Sequence, residues 1–193
     1  MSKLNATRIV NLNYNRNTIR INDETFELGG ESTLMSLRNG GGKTVMVQMF
    51  MAPFVSANYR DLKDRRLRNY FTSTTPSYIM TEWLLDNNSG YVMVGMAIRK
   101  KPLSNEEEDS EDIEIISFIH EYKTGNEYDI HNLEITTKTN SGFKIKPLSE
   151  VKKSLEELSS NRNFIFNYYE LSNPNHKKNF SRSLHWRGTC RGT

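Results

Sequence analysis

The sequence predicts an α/β fold in which a mixed, largely antiparallel sheet surrounds a helix near the N-terminus. A glycine-rich stretch at residues 38–44 leads directly into an apolar run of helical character. Strand-like residues precede it, and two further strand-like runs, 77–85 and 90–98, flank a turn-forming Asp-Asn-Asn-Ser sequence. The first pattern indicates a strand, a glycine loop and a helix in succession. The second indicates an antiparallel hairpin.

Apolar periodicity assigns the other elements along the chain. It predicts strands at residues 6–13, 18–28, 33–37, 114–122, 133–137, 143–146 and 161–169. It predicts helices at residues 44–53 and 148–158, the second with Leu148, Val151, Leu155 and Leu158 on one face. Residues 1–178 are expected to form one lobe, and the basic, aperiodic residues 179–193 an irregular tail.

Size and composition predict one intracellular domain, or one piece of a larger one. At 193 residues the chain is long enough to bury a core, although its hydrophobic fraction of 36% is modest. Cys190 is its single cysteine, which rules out an internal disulfide and suits a reducing compartment. We find neither a secretory signal core nor an apolar run of roughly twenty residues, and so expect a cytoplasmic protein with no membrane partner. A net charge of +3 does not by itself indicate nucleic-acid binding.

The glycine-rich stretch is the candidate nucleotide site. It consists of Arg38, Asn39, Gly40, Gly41, Gly42, Lys43 and Thr44. Glycines let successive backbone N–H groups point towards phosphate oxygens, and the positive end of the following helix adds to that attraction. Lys43 would reach the β- and γ-phosphates as a mobile charge. The hydroxyl of Thr44 suits Mg²⁺, which prefers hard oxygen ligands.

The spacing departs in one place from the general phosphate-loop pattern G-x-x-x-x-G-K-[ST]. The first glycine of the pattern falls on Leu37. The predicted strand before the loop and the predicted helix after it supply the context that the pattern requires. The alternative interpretation is a glycine-rich turn that a Lys-Thr pair follows by chance.

The loop and the order of elements resemble the N-terminal lobe of the ATPase head of structural-maintenance-of-chromosomes (SMC) proteins. The loop is similar to that family's G-x-N-G-x-G-K-[ST], with matches at Asn39, Gly40, Gly42, Lys43 and Thr44. Leu37 and Gly41 replace its usual glycine and serine. The resemblance extends over residues 4–100. The hairpin sequences Tyr-Ile-Met-Thr-Glu-Trp and Gly-Tyr-Val-Met-Val-Gly look closest to the bacterial condensin-like branch, which includes plasmid-defence homologues.

This resemblance implies a P-loop NTPase fold of the ABC-ATPase-head type, with ATP and Mg²⁺ as cofactors. Such heads are split, and a second lobe beyond a long coiled coil carries the signature motif and the acidic Walker B strand end. The sequence has no Leu-Ser-Gly-Gly-like segment and no apolar strand ending in Asp-Glu, and its only glutamine, Gln48, lies in the predicted P-loop helix. The resemblance therefore implies half of a composite site. A second lobe and a dimer partner head would complete it, and hydrolysis by this chain alone is expected to be negligible.

Charge is concentrated in two segments. Residues 60–69 are basic, and they either contact DNA or another subunit or form an ordinary solvated helix face. The cations concerned are Arg60, Lys63, Arg65, Arg66 and Arg68. Residues 105–114 are strongly acidic and are expected to form a solvated loop between two strands. DNA is an expected partner, and the basic segment is where it would bind.

Other residues capable of chemistry form no recognisable site. The histidines are scattered, without the spacing of metal ligands. Glu82 and Asp86, at the predicted hairpin, are expected to face solvent. Tyr14, Asn15 and Arg16 either pack against the adenine or ribose of a nucleotide or form a plain turn.

Three classes of function stay open at this point. The first is the ATP-binding lobe of an SMC-like motor, in chromosome segregation, DNA repair or plasmid defence. The second is a small self-contained P-loop NTPase, and the third is an interaction module with a vestigial P-loop. The predicted antiparallel pairs count against a self-contained kinase-like core, because such cores are mainly parallel.

Overall fold

A computed structural model describes residues 2–14, 19–55, 66–101, 113–140 and 142–188. Within these ranges the chain forms eight strands and three α-helices. The strands are β1 (Lys3–Tyr14), β2 (Ile19–Glu27), β3 (Ser77–Leu84), β4 (Tyr91–Lys100), β5 (Ile113–Tyr122), β6 (Thr136–Thr139), β7 (Gly142–Ile145) and β8 (Ile165–Glu170). The helices are α1 (Lys43–Met51), α2 (Leu148–Ser160) and α3 (Pro174–Gly188).

Six of the strands form one sheet, in the order β2-β1-β3-β4-β5-β8. Each neighbouring pair is antiparallel, and β6 and β7 form a separate antiparallel hairpin. The predicted α/β class is therefore confirmed, but the prediction of a mixed sheet is wrong for the described part of the chain. The short hairpin between β3 and β4 is a connection that only antiparallel strands allow, whereas long stretches of chain separate β1 from β3 and β5 from β8.

The two faces of the sheet carry separate cores because side chains alternate along each strand. On β3, Tyr78 and Met80 belong to the core that includes α2, whereas Ile79 belongs to the core that includes α1. On β4, Val94 and Met96 share the α1 face, where Val94 belongs to the core that includes Phe180 of α3. Helices α1 and α3 thus cover one face of the sheet, and α2 covers the other.

Local sequence patterns placed two parts of the fold correctly. Helix α2 buries Leu148, Val151, Leu155 and Leu158, the residues that the helical spacing predicted. The hairpin of β3 and β4 is also confirmed. A 3₁₀ turn over Asp86–Asn88 joins the two strands, and Asn87 there has φ of 58°, which asparagine tolerates better than most residues.

Two predicted elements differ in the structure. The strand expected at 133–137 begins only at Thr136, because residues 129–133 form turns around Asp129. The tail expected to be irregular from residue 179 is helical as far as Gly188, where α3 ends. Burial of Phe180 against Tyr169 of β8 accounts for this helix, whose sequence carries little apolar periodicity. Cys190 lies outside the described residues.

The strand predicted at residues 33–37 is absent from the structure. Residues 32–38 are described and carry no regular secondary structure. The side chain of Leu34 is 94% exposed. A strand needs a neighbour to pair with, and none of the described strands lies beside this segment in the sheet. The candidate loop therefore follows a segment without regular secondary structure, in which Leu34 is exposed while Met35 and Leu37 pack against the core that includes α1.

Candidate functional site

The candidate loop is a tight turn that leads into the first turn of α1. The N–H of Gly41 donates to the carbonyl oxygen of Arg38 at 2.9 Å, which closes the turn. Gly42 is the N-cap of α1, and its carbonyl accepts from the N–H of Met46 at 2.9 Å. The N–H groups that precede this bond are those that an α-helix leaves without an intrahelical partner. They and the helix dipole make this end suitable for an anion.

Glycine is needed at the loop for reasons that the structure makes explicit. Gly40 and Gly42 have φ of 78° and 81°, in the left-handed region that other residues rarely enter. A Cβ on Gly41 would lie 2.9 Å from the Arg38 carbonyl oxygen. A Cβ on Gly42 would lie 2.3 Å from Cε2 of Tyr14, which is not a possible contact.

A cavity of about 520 Å³ opens beside the loop. Every residue predicted for the nucleotide site lines it: Arg38, Asn39, Gly40, Gly41, Gly42, Lys43 and Thr44. Lys43 and Thr44 are both exposed, so their side chains are accessible to a ligand. The structure thus brings the predicted residues together around one open space at the N-terminus of a helix. That space combines a cation, a hydroxyl and backbone donors, the groups that bind a phosphate chain and its magnesium ion.

Tyr14 lies against the loop and is 7% exposed. Its hydroxyl donates to the carbonyl oxygen of Gly41 at 3.3 Å, and its ring occupies the space where a Cβ of Gly42 would stand. Burial raises the pKa of the Tyr14 hydroxyl, which keeps it a donor. The ring therefore supports the loop and offers little surface to a base. Asn15 and Arg16 lie outside the described residues.

Tyr70 is a site residue that the sequence did not reveal. It ends a 3₁₀ turn, Leu67–Tyr70, and lines the same cavity as the loop. Its side chain is half-buried, so part of the ring is available for stacking. No motif or spacing connects it with the loop, since only the tertiary structure places the two segments side by side. The exposed Arg66 and Arg68 belong to the same turn and its start. Arg60, Lys63 and Arg65 lie outside the described residues.

The position of Glu82 also differs from the sequence prediction. The sequence predicts that this glutamate faces solvent, but it is 4% exposed, because β3 is central in the sheet and both of its faces are covered. Its Oε1 accepts from Nδ2 of Asn5 at 2.6 Å, and its Oε2 accepts from the Tyr122 hydroxyl. Asp86, in the turn, is not buried. Gln48 is buried in α1.

The described part of the chain contains no cluster of three or more His, Cys, Asp or Glu residues that could hold a metal ion. Among the same residues, no helix is long and apolar enough to cross a membrane.

No protein-family model and no curated protein matches this chain. The geometry of the cavity, together with the loop sequence, is therefore what indicates a function.

Proposed function

We propose that this chain is the ATP-binding half of an SMC-like, DNA-associated ATPase, with the fold of an ABC-type P-loop head. One observation carries the proposal: residues 38–44 all line a single cavity at the N-terminus of α1. The turn with positive φ at Gly40 and Gly42 leads directly into a helix at Lys43, and the unpartnered N–H groups at a helix start support phosphate binding there.

Different groups in the cavity would bind different parts of ATP. Backbone N–H groups of the loop and of the first turn of α1 would hold the phosphate oxygens. Lys43 would neutralise charge on the β- and γ-phosphates, and the hydroxyl of Thr44 would be the protein's ligand to Mg²⁺. Mg²⁺ bound there would bridge phosphate oxygens and reduce their charge. The half-exposed ring of Tyr70 provides the stacking surface for the base.

A second lobe is proposed to complete the head by covering the segment before the loop. Residues 32–37 carry no regular secondary structure and include the exposed Leu34, and three of them, Ser32, Thr33 and Met35, border a largely apolar groove of about 560 Å³ that α1 also lines. We call this the α1 groove; Met35, Val47 and Phe50 contribute to it. Val47 is 60% exposed and Met51, one turn later, is 43% exposed. Exposed apolar surface of this kind is typical of a surface that another chain or lobe covers.

The test is calorimetric titration with Mg·ATP, with hydrolysis assayed in the same samples. Native chain should bind, and Lys43→Ala should bind roughly 10- to 100-fold more weakly, since a charge-assisted contact to phosphate is lost. Lys153→Ala is the matched control, because Lys153 is an exposed lysine of α2.

The three possible outcomes of this titration correspond to the three classes of function. Binding that needs Lys43, without turnover, supports the half-site. Binding with turnover by the pure chain indicates a self-contained P-loop NTPase and contradicts the half-site. No binding by native chain leaves the interaction module.

DNA is the proposed macromolecular partner, through the basic segment that ends at the turn carrying Tyr70. Arg66 and Arg68 are its described members, and both are exposed. Binding of a fluorescent duplex should weaken steeply with salt, because contacts to phosphates release counterions. The double variant Arg66→Ala/Arg68→Ala should lower both the affinity and the salt slope. Equal affinity and slope in native and variant chains would exclude these two residues from the contact.

A further inference from the structure

The alternation of side chains along β1 is interrupted before Tyr14, and this interruption places Tyr14 against the loop. Ile9 belongs to the core on the α1 face of the sheet, and Val10 to the core on the α2 face. In an uninterrupted strand, Leu12 and Tyr14 would share the face of Val10. Both instead belong to the α1 core. The alternation reverses at Asn11, whose φ is 57°.

Hydrogen bonds hold Asn11 in this left-handed conformation. Its Nδ2 donates to the carbonyl oxygen of Pro76 at 3.0 Å, and its own carbonyl accepts from the Ser77 hydroxyl at 2.6 Å. Asparagine is among the few residues that enter this region at modest cost. These hydrogen bonds with Pro76 and Ser77, at the start of β3, therefore stabilise the conformation that reverses the side-chain alternation in β1.

The contact made by Tyr14 orients a peptide of the loop. Its hydroxyl donates to the carbonyl oxygen of Gly41, so that carbonyl points towards the ring. The peptide between Gly41 and Gly42 is trans, and its C=O and N–H therefore point in opposite directions. The N–H of Gly42 is consequently directed away from the Tyr14 hydroxyl.

We propose that Tyr14 is a positioning residue of the phosphate site, which presents the Gly42 N–H to phosphate, and that Asn11 sets Tyr14 in place. This inference rests on the proposed nucleotide binding. It concerns the phosphate chain alone, since Tyr14 contacts the loop and its buried ring offers little surface to a base. Tyr14 thus differs in role from Tyr70, although both line one cavity.

The experiment compares Tyr14→Phe with native chain in titrations with Mg·ATP and with Mg·tripolyphosphate, which lacks a base. Loss of one hydrogen bond should weaken both ligands by the same factor, about 2- to 10-fold. The amide signal of Gly42 in ¹⁵N spectra should shift less on binding tripolyphosphate than it does in native chain. A purely structural role would change the melting temperature and leave that amide shift intact. Tyr128→Phe, on a residue packed in the α2 core, is the control.

Asn11 provides an independent pair of variants. Asn11→Gly retains access to positive φ and should bind tripolyphosphate much as native chain does. Asn11→Val cannot adopt that conformation without strain and should lose affinity at least as strongly as Tyr14→Phe. If the valine variant fails to fold, Tyr14→Phe still decides. Unchanged tripolyphosphate affinity in Tyr14→Phe would overturn this inference alone. Absence of binding by native chain would remove the proposed function and this inference with it.

Discussion

Arg8 and Asp23 form a bidentate ion pair across β1 and β2, with Nε to Oδ1 and Nη2 to Oδ2 both 2.8 Å apart. Arg8 is 6% exposed, and its Nη1 also donates to the carbonyl oxygens of Ile130, His131 and Leu133. One side chain thus ties the edge hairpin of the sheet to the turns that precede β6.

Replacing Arg8 with methionine should lower the free energy of unfolding by about 3–5 kcal/mol, because a largely buried carboxylate loses its partner. Urea unfolding followed by circular dichroism measures this. Lys3→Met is the control, since Lys3 and Glu31 form an exposed pair at 3.5 Å that should contribute about 0–1 kcal/mol. Similar losses in both variants would contradict the role assigned to Arg8.

Gly42→Ala should abolish measurable tripolyphosphate binding while the sheet stays folded. The new methyl group would collide with Tyr14 at 2.3 Å, so the ring or the loop must move. Gly125→Ala is a matched control, since Gly125 has nearly the same φ, 80°, and a Cβ there would meet nothing within 4 Å. Both variants should lose about 1–2 kcal/mol of stability from the left-handed backbone, but only Gly42→Ala should lose binding. Native-like affinity in Gly42→Ala would show that the loop does not hold phosphate in this geometry.

The α1 groove, and the exposed Leu34 between its lining residues Thr33 and Met35, should be accessible to an apolar probe. The fluorescence of anilinonaphthalene sulfonate (ANS) with native chain should fall in the double variant Leu34→Ser/Val47→Lys, while the free energy of unfolding changes by no more than about 0.5 kcal/mol. Ile165→Lys is the control, because Ile165 is 57% exposed and belongs to β8. Equal dye fluorescence in native and double-variant chains would remove the support that this surface gives to a second lobe.

His120 should make the fold less stable below neutral pH. Burial lowers its pKa from the ordinary value of 6.5, although hydrogen bonds with Asn126 and the Ile165 carbonyl and the charge of Asp129 act in the opposite direction. The unfolded chain therefore takes up a proton at higher pH than the folded chain does. Stability contributed by neutral His120 is complete above pH 6.5 and is lost as pH falls from there towards the lower folded pKa.

Urea unfolding across about pH 5 to pH 8, the range in which histidine titrates, measures this dependence. The His120→Gln variant should lose less stability on acidification than native chain does. An identical pH dependence in native and His120→Gln chains would exclude His120 as its source.

Local sequence patterns correctly predicted elements in which apolar residues recur at a regular spacing and so form one buried face. Helix α2 was predicted with its four buried residues, since its apolar positions recur at helical spacing. Residues 33–37 were also predicted from their local sequence, as a strand, but they form none. A strand forms its hydrogen bonds with a neighbouring strand, and local sequence does not show whether such a neighbour is present. Helix α3 was missed for the converse reason, since Phe180 finds its partner in β8.

The sequence by itself determined the residues of the candidate site, because a glycine loop, a lysine and a threonine at the start of a helix lie together in the chain and need no distant contact to be recognised. The tertiary structure alone decided what surrounds them. Tyr14 reaches the loop because one asparagine reverses the alternation of β1, and Tyr70 reaches it from a turn beyond α1. Such contacts depend on how segments that are distant in the sequence pack together. The spacing of neighbouring residues does not determine the free energy of that packing.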